Sequence, residues 1–282
     1  MKVLITGADG FTGQHLSEYL KAQGHEVVPL TADLTDSEAL NKEVDLISPD
    51  WVVHLAAISF VGHHDLSQFY LVNVIGTLNL LDALANLERK PSSVLIASSA
   101  NIYGNCQHSP ISESQSPAPV NHYAASKLAM EHLAKTYIDR LPLFFVRPFN
   151  YTGLGQAKSF LIPKLVDHFV RKEKSIELGN IKVEREFNDV RMVCKAYSLL
   201  LEKAQSGESY NVCSGKTYSL FDVLELLEQA TNHRIEIKIN PKLVRRNEVQ
   251  KLCGNPGKIN GLGINLESSL TDTLATMLPA KL

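Results

Sequence analysis

The chain has 282 residues, room for one large domain or two small ones, and its 44% hydrophobic and 21% charged content suits a protein with a full buried core. Lys+Arg 28 against Asp+Glu 30 gives a formal net charge of -2, so no general basic field exists to attract nucleic acid or an anionic membrane, and neither is expected as a partner. Cys106, Cys194, Cys213 and Cys253 stand far apart with no CxxC pair. Neither a metal site nor a disulfide framework is therefore expected, and a reducing cytoplasm fits best. No apolar run reaches the roughly 18 residues of a membrane helix. Met1 to Thr6 already reads as a buried strand, with no secretory leader before it.

Lys2 to Thr6 is a strand rich in Val, Leu and Ile, followed by a Gly-rich turn and a helix from Gly13 to Gln23, which Gly24 stops. A strand Glu26 to Leu30, a helix Ser37 to Ile47, a strand Trp51 to Leu55 and a helix Gln68 to Leu87 follow. The strand Ser93 to Ser98, the helix His122 to Arg140 and the strand Leu143 to Arg147 complete the series. Alternating strands and helices predict parallel pairing through right-handed crossovers. After Asn150 the rhythm changes. A helix Phe160 to Lys172, strands Ser175 to Leu178 and Tyr210 to Cys213, a helix Leu220 to Ala230 capped by Ser219, and an exposed strand Ile235 to Ile239 are expected. The Pro/Ser-rich stretch Gln107 to Asn121 is expected to cross the top of the sheet. The reading is an α/β protein: a Rossmann-like doubly wound parallel sheet in residues 1–150, rejoined by about 190–214, and a smaller C-terminal α/β substrate domain in 151–282.

Thr6 to Gly13 reads Thr-Gly-Ala-Asp-Gly-Phe-Thr-Gly, between a buried strand and a helix. In that context Gly7 permits a tight turn, Gly10 lets the backbone approach a pyrophosphate and Gly13 lets helix and strand pack closely. Helix N–H groups and the helix dipole then face the anion. At the end of the second strand stand Pro29, Leu30 and Thr31, neither the acid that suits an NAD ribose nor the base that suits an NADP phosphate. Both NADP(H) and NAD(H) remain open. Asp33-Leu34 follows, resembling an adenine-binding pair, and Leu55-Ala56-Ala57 offers small side chains beside which a dinucleotide can lie.

Tyr123 and Lys127 stand at i and i+4 of a helical pattern, so one face carries both. A free tyrosine has a pKa of about 10, and a neighbouring ammonium is expected to lower it toward useful proton transfer. Ser98 and Ser99 end a strand where open α/β sheets collect ligands, and Ser99 is assigned the hydrogen bond to a substrate carbonyl oxygen.

Thr6 to Gly13, Ser98-Ser-Ala-Asn-Ile-Tyr-Gly104 and Tyr123-Ala-Ala-Ser-Lys127 together resemble the extended short-chain dehydrogenase/reductases of nucleotide-sugar metabolism. Asn73-Val-Ile-Gly76-Thr77 stands in the expected order, and the resemblance covers nearly the whole chain. Arg147-Pro-Phe-Asn150, Arg185-Glu-Phe-Asn-Asp-Val190 and Tyr210-Asn-Val-Cys-Ser-Gly215 look most like the GDP-6-deoxy-4-keto-mannose reductases of that family. The resemblance implies Ser99, Tyr123 and Lys127 as the catalytic set. It implies Gly7, Gly10, Phe11, Gly13, Ala56, Asn73 and Pro148 on the dinucleotide, and Asn150, Arg185, Arg245 and Glu248 on the nucleotide-sugar. An arginine fork suits a diphosphate. It further implies a homodimer and reduction of GDP-4-keto-6-deoxy-D-mannose to GDP-D-rhamnose. Related 4,6-dehydratases carry a basic carboxylate where this chain has Asn101, so elimination is disfavoured; Glu113 lies in the following loop, but nothing in its spacing supports it as a stand-in. A nucleotide-sugar 4-epimerase and a non-catalytic dinucleotide sensor are the competing readings.

Overall fold

The computed structural model describes residues 1–59, 65–106, 108–181, 183–243 and 249–279. Strands β1 (Lys2–Thr6), β2 (Glu26–Pro29), β3 (Trp51–His54), β4 (Ser93–Ala97) and β5 (Leu143–Pro148) are joined in one sheet by the strand Ser209–Val212. The order is β2-β1-β3-β4-β5 and then Ser209–Val212, every pairing parallel. The chain therefore builds outward from β1 to β2, then reverses across β1 to β3. In such sheets ligands bind at that reversal, beyond the carboxyl ends of β1 and β3.

Side chains alternate across β1. Val3 and Ile5 pack with helix α1 (Phe11–Ala22) and the helix Val190–Lys203, whereas Leu4 packs with α2 (Ser37–Ile47) and the helices Leu66–Asn86 and His122–Ala134. Both faces are covered, which is why Trp51–Val53 of β3 and Val94–Ala97 of β4 read as continuous apolar runs. Leu66–Asn86 is long and apolar enough to cross a membrane, contrary to the expectation from the sequence. Its apolar character comes from the core, because 56% of its most apolar window is buried. Its middle, Leu71–Gly76, widens into a π-helical turn.

The remaining residues form a smaller layer. The parallel pair Ser175–Leu178 and Glu236–Ile239 is covered by Leu161–Val170, Leu220–Thr231 and Leu270–Met277. As anticipated, Ser219 caps its helix, in a capping box with Asp222. Two-residue strands tie this layer to the main sheet: Tyr151–Thr152 pairs with Asn188–Asp189, and Glu184–Arg185 lies between Tyr218–Ser219 and Lys251–Leu252. The stretch after Gln107 packs over Ile102–Gly104 and Cys253–Asn255, through Ala118 N–H donating to the Ile102 carbonyl and a bridge between Ile111 and Gly254.

Candidate active site

The glycine loop leaves β1 with Gly7 at φ +68°. A Cβ there would stand 2.9 Å from Ala56 Cα, and one on Gly13 would stand 2.2 Å from the Gly7 carbonyl oxygen, so the loop, Ala56 and α1 pack too closely for side chains. α1 starts at Gly10 with no side-chain cap and no acidic residue in its first turn, whereas Asp36 caps α2 and Asn121 caps the Tyr123 helix. Uncapped N–H groups at a side-chain-free helix start fit the pyrophosphate of a dinucleotide. Phe11, in the first turn, stacks on Tyr151, and Thr12 hydrogen-bonds the Tyr151 hydroxyl at 2.7 Å. Leu55, Ala56 and Ala57 form the half-buried opposite rim, directly after β3.

A buried polar chain fixes that rim. Ala56 N–H donates to Thr6 Oγ1 at 3.1 Å, Thr6 Oγ1 lies 2.7 Å from His54 Nδ1, and His54 Nε2 lies 2.8 Å from Thr77 Oγ1. Thr77 gives its own hydrogen to the Asn73 carbonyl, so it must accept from the ring. His54 thus carries its proton on Nε2, and Nδ1 accepts from Thr6. Burial, assisted by the Lys127 charge, pushes the His54 pKa down to about 3 and keeps the ring neutral. Asn73 accepts from Ile58 N–H at 2.8 Å and donates to Ser126 Oγ at 3.1 Å, while Ser126 donates to the Tyr123 carbonyl. Asn73 therefore joins the loop after β3 to the helix that carries Tyr123 and Lys127, its amide committed to protein partners.

Tyr123, Lys127 and Ser99 are each at least nine-tenths buried. The Lys127 ammonium donates to the Ala97 carbonyl at 2.7 Å, which seats it at the end of β4 beside Ser98-Ser99. Burial pushes Lys127 down to about 8, against the pull of Glu131 one helical turn further on. Burial also raises Tyr123, with Ser99 hydrogen bonding as the opposing influence. The i, i+4 spacing predicts a phenol lowered by Lys127; in this arrangement desolvation dominates and the phenol holds its proton. Ser99 Oγ accepts from Asn101 N–H at 3.2 Å and from Asn101 Nδ2 at 3.1 Å. With its lone pairs engaged, its remaining capacity is to donate. Among the described residues, Ser98 Oγ, buried at the end of β4, has no hydrogen-bond partner.

Behind this set lies a buried ion pair. Arg147 holds Glu131 with two hydrogen bonds of 3.0 and 2.7 Å and donates to the Tyr103 hydroxyl, which donates to Asn211. Tyr123, Lys127 and Glu131 thus succeed one another every four residues along the buried face of one helix. Glu113 is occupied elsewhere, since Oε1 accepts the Asn211 N–H at 2.8 Å, so it cannot replace the missing dehydratase base.

Other anticipated residues have distinct placements. Asp33 turns its carboxylate onto Thr35 N–H and Oγ1, both at 2.8 Å. Leu34 is a core residue, packed where a Cβ on Gly76 would meet it at 2.8 Å. Pro148 ends β5 beside Val212, and Asn150 is exposed just after it, its carbonyl accepting the Asn188 N–H. The Arg185 guanidinium donates to the carbonyls of Glu184, Val249 and Gln250 and so holds the chain leading into Lys251–Leu252. Arg245 and Glu248 lie outside the described residues.

His54, Glu131 and Glu186 carry structure that the sequence argument passed over. Glu186 is fully buried and accepts from Gly254 N–H at 2.6 Å, Ser214 N–H at 2.8 Å and Asn188 Nδ2 at 2.9 Å, tying three segments beneath the site. Continuing the i, i+4 spacing from Lys127 would have found Glu131. No local signal marks the others, because their partners are distant in sequence.

Residues 3–213 match the model of the NAD dependent epimerase/dehydratase family. The chain is 41% identical over 270 residues to GDP-6-deoxy-D-talose 4-dehydrogenase of Aggregatibacter actinomycetemcomitans, covering 93% of this chain and 92% of the relative. It is 34% identical to GDP-6-deoxy-D-mannose reductase of Pseudomonas aeruginosa, over 92% of this chain and 90% of that one. The solved structure of RMD from Pseudomonas aeruginosa with NADPH superposes with a TM-score of 0.88 at 33% identity, covering 98% of this chain and 97% of that one. The UDP-glucose 4-epimerase of Thermus thermophilus with NAD gives 0.89 at 25% identity, over 98% and 97%. Glycine cradle, buried Ser-Tyr-Lys set and family model agree: the chain belongs to the NAD dependent epimerase/dehydratase family, within the extended short-chain dehydrogenase/reductases.

Proposed function

We propose that the chain, an NAD(P)-dependent enzyme acting on nucleotide-sugars, reduces the C4 keto group of GDP-4-keto-6-deoxy-D-mannose. One arrangement carries the reading: Tyr123, Lys127 and Ser99 are buried together at the end of β4, where a protonated phenol and a hydroxyl donor can serve one ketone oxygen. A bound nicotinamide dinucleotide supplies the hydride to C4. Ser99 donates a hydrogen bond to the carbonyl oxygen as charge develops there, and Tyr123 delivers its proton to that oxygen. Lys127, still largely protonated at pH 7 with a pKa of about 8, stabilises the phenolate left behind. Gly7, Gly10, Phe11, Gly13 and Leu55 to Ala57 would hold the dinucleotide, and Pro148 is assigned to the nicotinamide. Asn150, Arg185, Arg245 and Glu248 are assigned to the nucleotide-sugar, with residues 151–282 as its domain.

GDP-D-rhamnose is the product that the mannose reductase relative supports. The 41% identical relative is named for 6-deoxy-talose, the C4 epimer, and supports a second reading in which hydride reaches the other face of the same ketone. Incubating the chain with GDP-4-keto-6-deoxy-D-mannose and NAD(P)H, then measuring the sugar H3–H4 coupling by NMR, separates the two. Recovery of unreduced ketone alone would refute both. A 4-epimerase would interconvert sugars with no net nicotinamide consumption.

We also propose a homodimer in the cytoplasm. Leu66, Tyr70, Leu71 and Ile75 on one long helix and Leu133 on the other are exposed apolar residues, whereas Leu81 is buried. Sedimentation of an Ile75→Lys variant as a monomer, against a dimeric parent, is the expected result.

A further inference from the structure

Where a dinucleotide lies across the switch point of a doubly wound sheet, its adenosine ribose comes to the carboxyl end of β2. A 2′-phosphate at that ribose needs donors, and commonly a cation, there. Three donors converge in this chain just past β2. Thr31 N–H lies 2.8 Å and Thr31 Oγ1 2.9 Å from Glu43 Oε1, and Ala32 N–H lies 2.6 Å from Glu43 Oε2. Two backbone amides and a hydroxyl meeting on one carboxylate make an anion seat, and a side chain of α2 already fills it. From Gly24 to Asn41 the sequence holds no lysine or arginine but has Asp33, Asp36 and Glu38, and the nearby Lys42 is paired with Glu38 at 2.6 Å. Related folds hold either NADPH or NAD, so family membership does not decide between them.

We propose that Glu43 selects NAD(H) over NADP(H) by occupying, with a negative charge, the three donors at the end of β2 that would otherwise seat a 2′-phosphate. This rests on the dinucleotide reading of the glycine loop. The selecting residue stands on α2, away from the strand end where a discriminating acid is usually sought, which is why the strand end itself looked indifferent.

The test is calorimetric titration of the full chain with NADH and with NADPH, reading affinity rather than turnover. The parent is expected to bind NADH more tightly. Glu43→Ala and Glu43→Gln are expected to strengthen NADPH binding by about tenfold, the effect of removing a unit charge a few ångströms from a phosphate at a partly exposed site, while NADH affinity changes little. Glu38→Ala removes an equal charge from α2 without freeing those donors and should leave the preference unchanged. A parent that prefers NADPH, or a preference equally unmoved in both Glu43 variants, would overturn the proposal. A parent that binds neither would overturn the dinucleotide reading, and this inference with it.

Discussion

The two halves of the chain bury polar groups for different ends. In the sheet half, Thr6, His54, Thr77, Asn73 and Ser126 form a connected chain from the glycine loop to the backbone of Tyr123, its long-range links joining β1, β3 and two helices. In the smaller half, Glu186 and Arg185 act as single straps, gathering carbonyls and N–H groups from segments whose strands are two residues long. On the proposed function, the first arrangement would hold Tyr123 and Lys127 in fixed register with the glycine loop. The second would leave the nucleotide-sugar side to individual residues, so one substitution there should alter sugar recognition without disturbing the Tyr123–Lys127 geometry.

That contrast can be broken at several points. Tyr123→Phe should lower kcat by about 10²–10⁴ with dinucleotide affinity retained, measured by turnover and by titration. Arg147→Met leaves the Glu131 carboxylate buried and unpaired, and should cost about 3–5 kcal/mol in denaturant unfolding. His54 gives the sheet half a pH signature. Its folded pKa of about 3 lies below the ordinary histidine value of 6.5, so between these values only the unfolded chain takes up the proton. Stability from this group is complete above pH 6.5 and lost as pH falls, by up to about 1.4 kcal/mol per pH unit. A His54→Asn variant should show a flatter loss over that range. At the other extreme, Ser219→Ala removes the capping box of the Leu220–Thr231 helix and should cost about 1 kcal/mol, with nicotinamide binding unchanged.

The same contrast explains what could be read from residue order. The sheet half was legible because Val3–Ile5, Trp51–Val53 and Val94–Ala97 are apolar runs within β1, β3 and β4 and its motifs are local: Gly7, Gly10 and Gly13 around one turn, Tyr123 and Lys127 within one helix turn. The capping signal at Ser219 was local as well. What escaped detection depends on tertiary neighbours. His54 is polar only toward Thr6 and Thr77, and Glu186 meets Gly254 across 68 residues. The helix Val190–Lys203 went unassigned although the region was expected to rejoin the sheet. The raised phenol of Tyr123 follows from burial, which spacing alone does not convey.

The central claim is that a protonated Tyr123 completes a net reduction. Mixing the chain with GDP-4-keto-6-deoxy-D-mannose and reduced nicotinamide, and following the loss of nicotinamide absorbance, tests it most directly. One reduced cofactor should be consumed for each sugar converted, and Tyr123→Phe should nearly abolish the loss. Undiminished consumption in that variant, or sugar conversion with no cofactor consumed, would contradict the account.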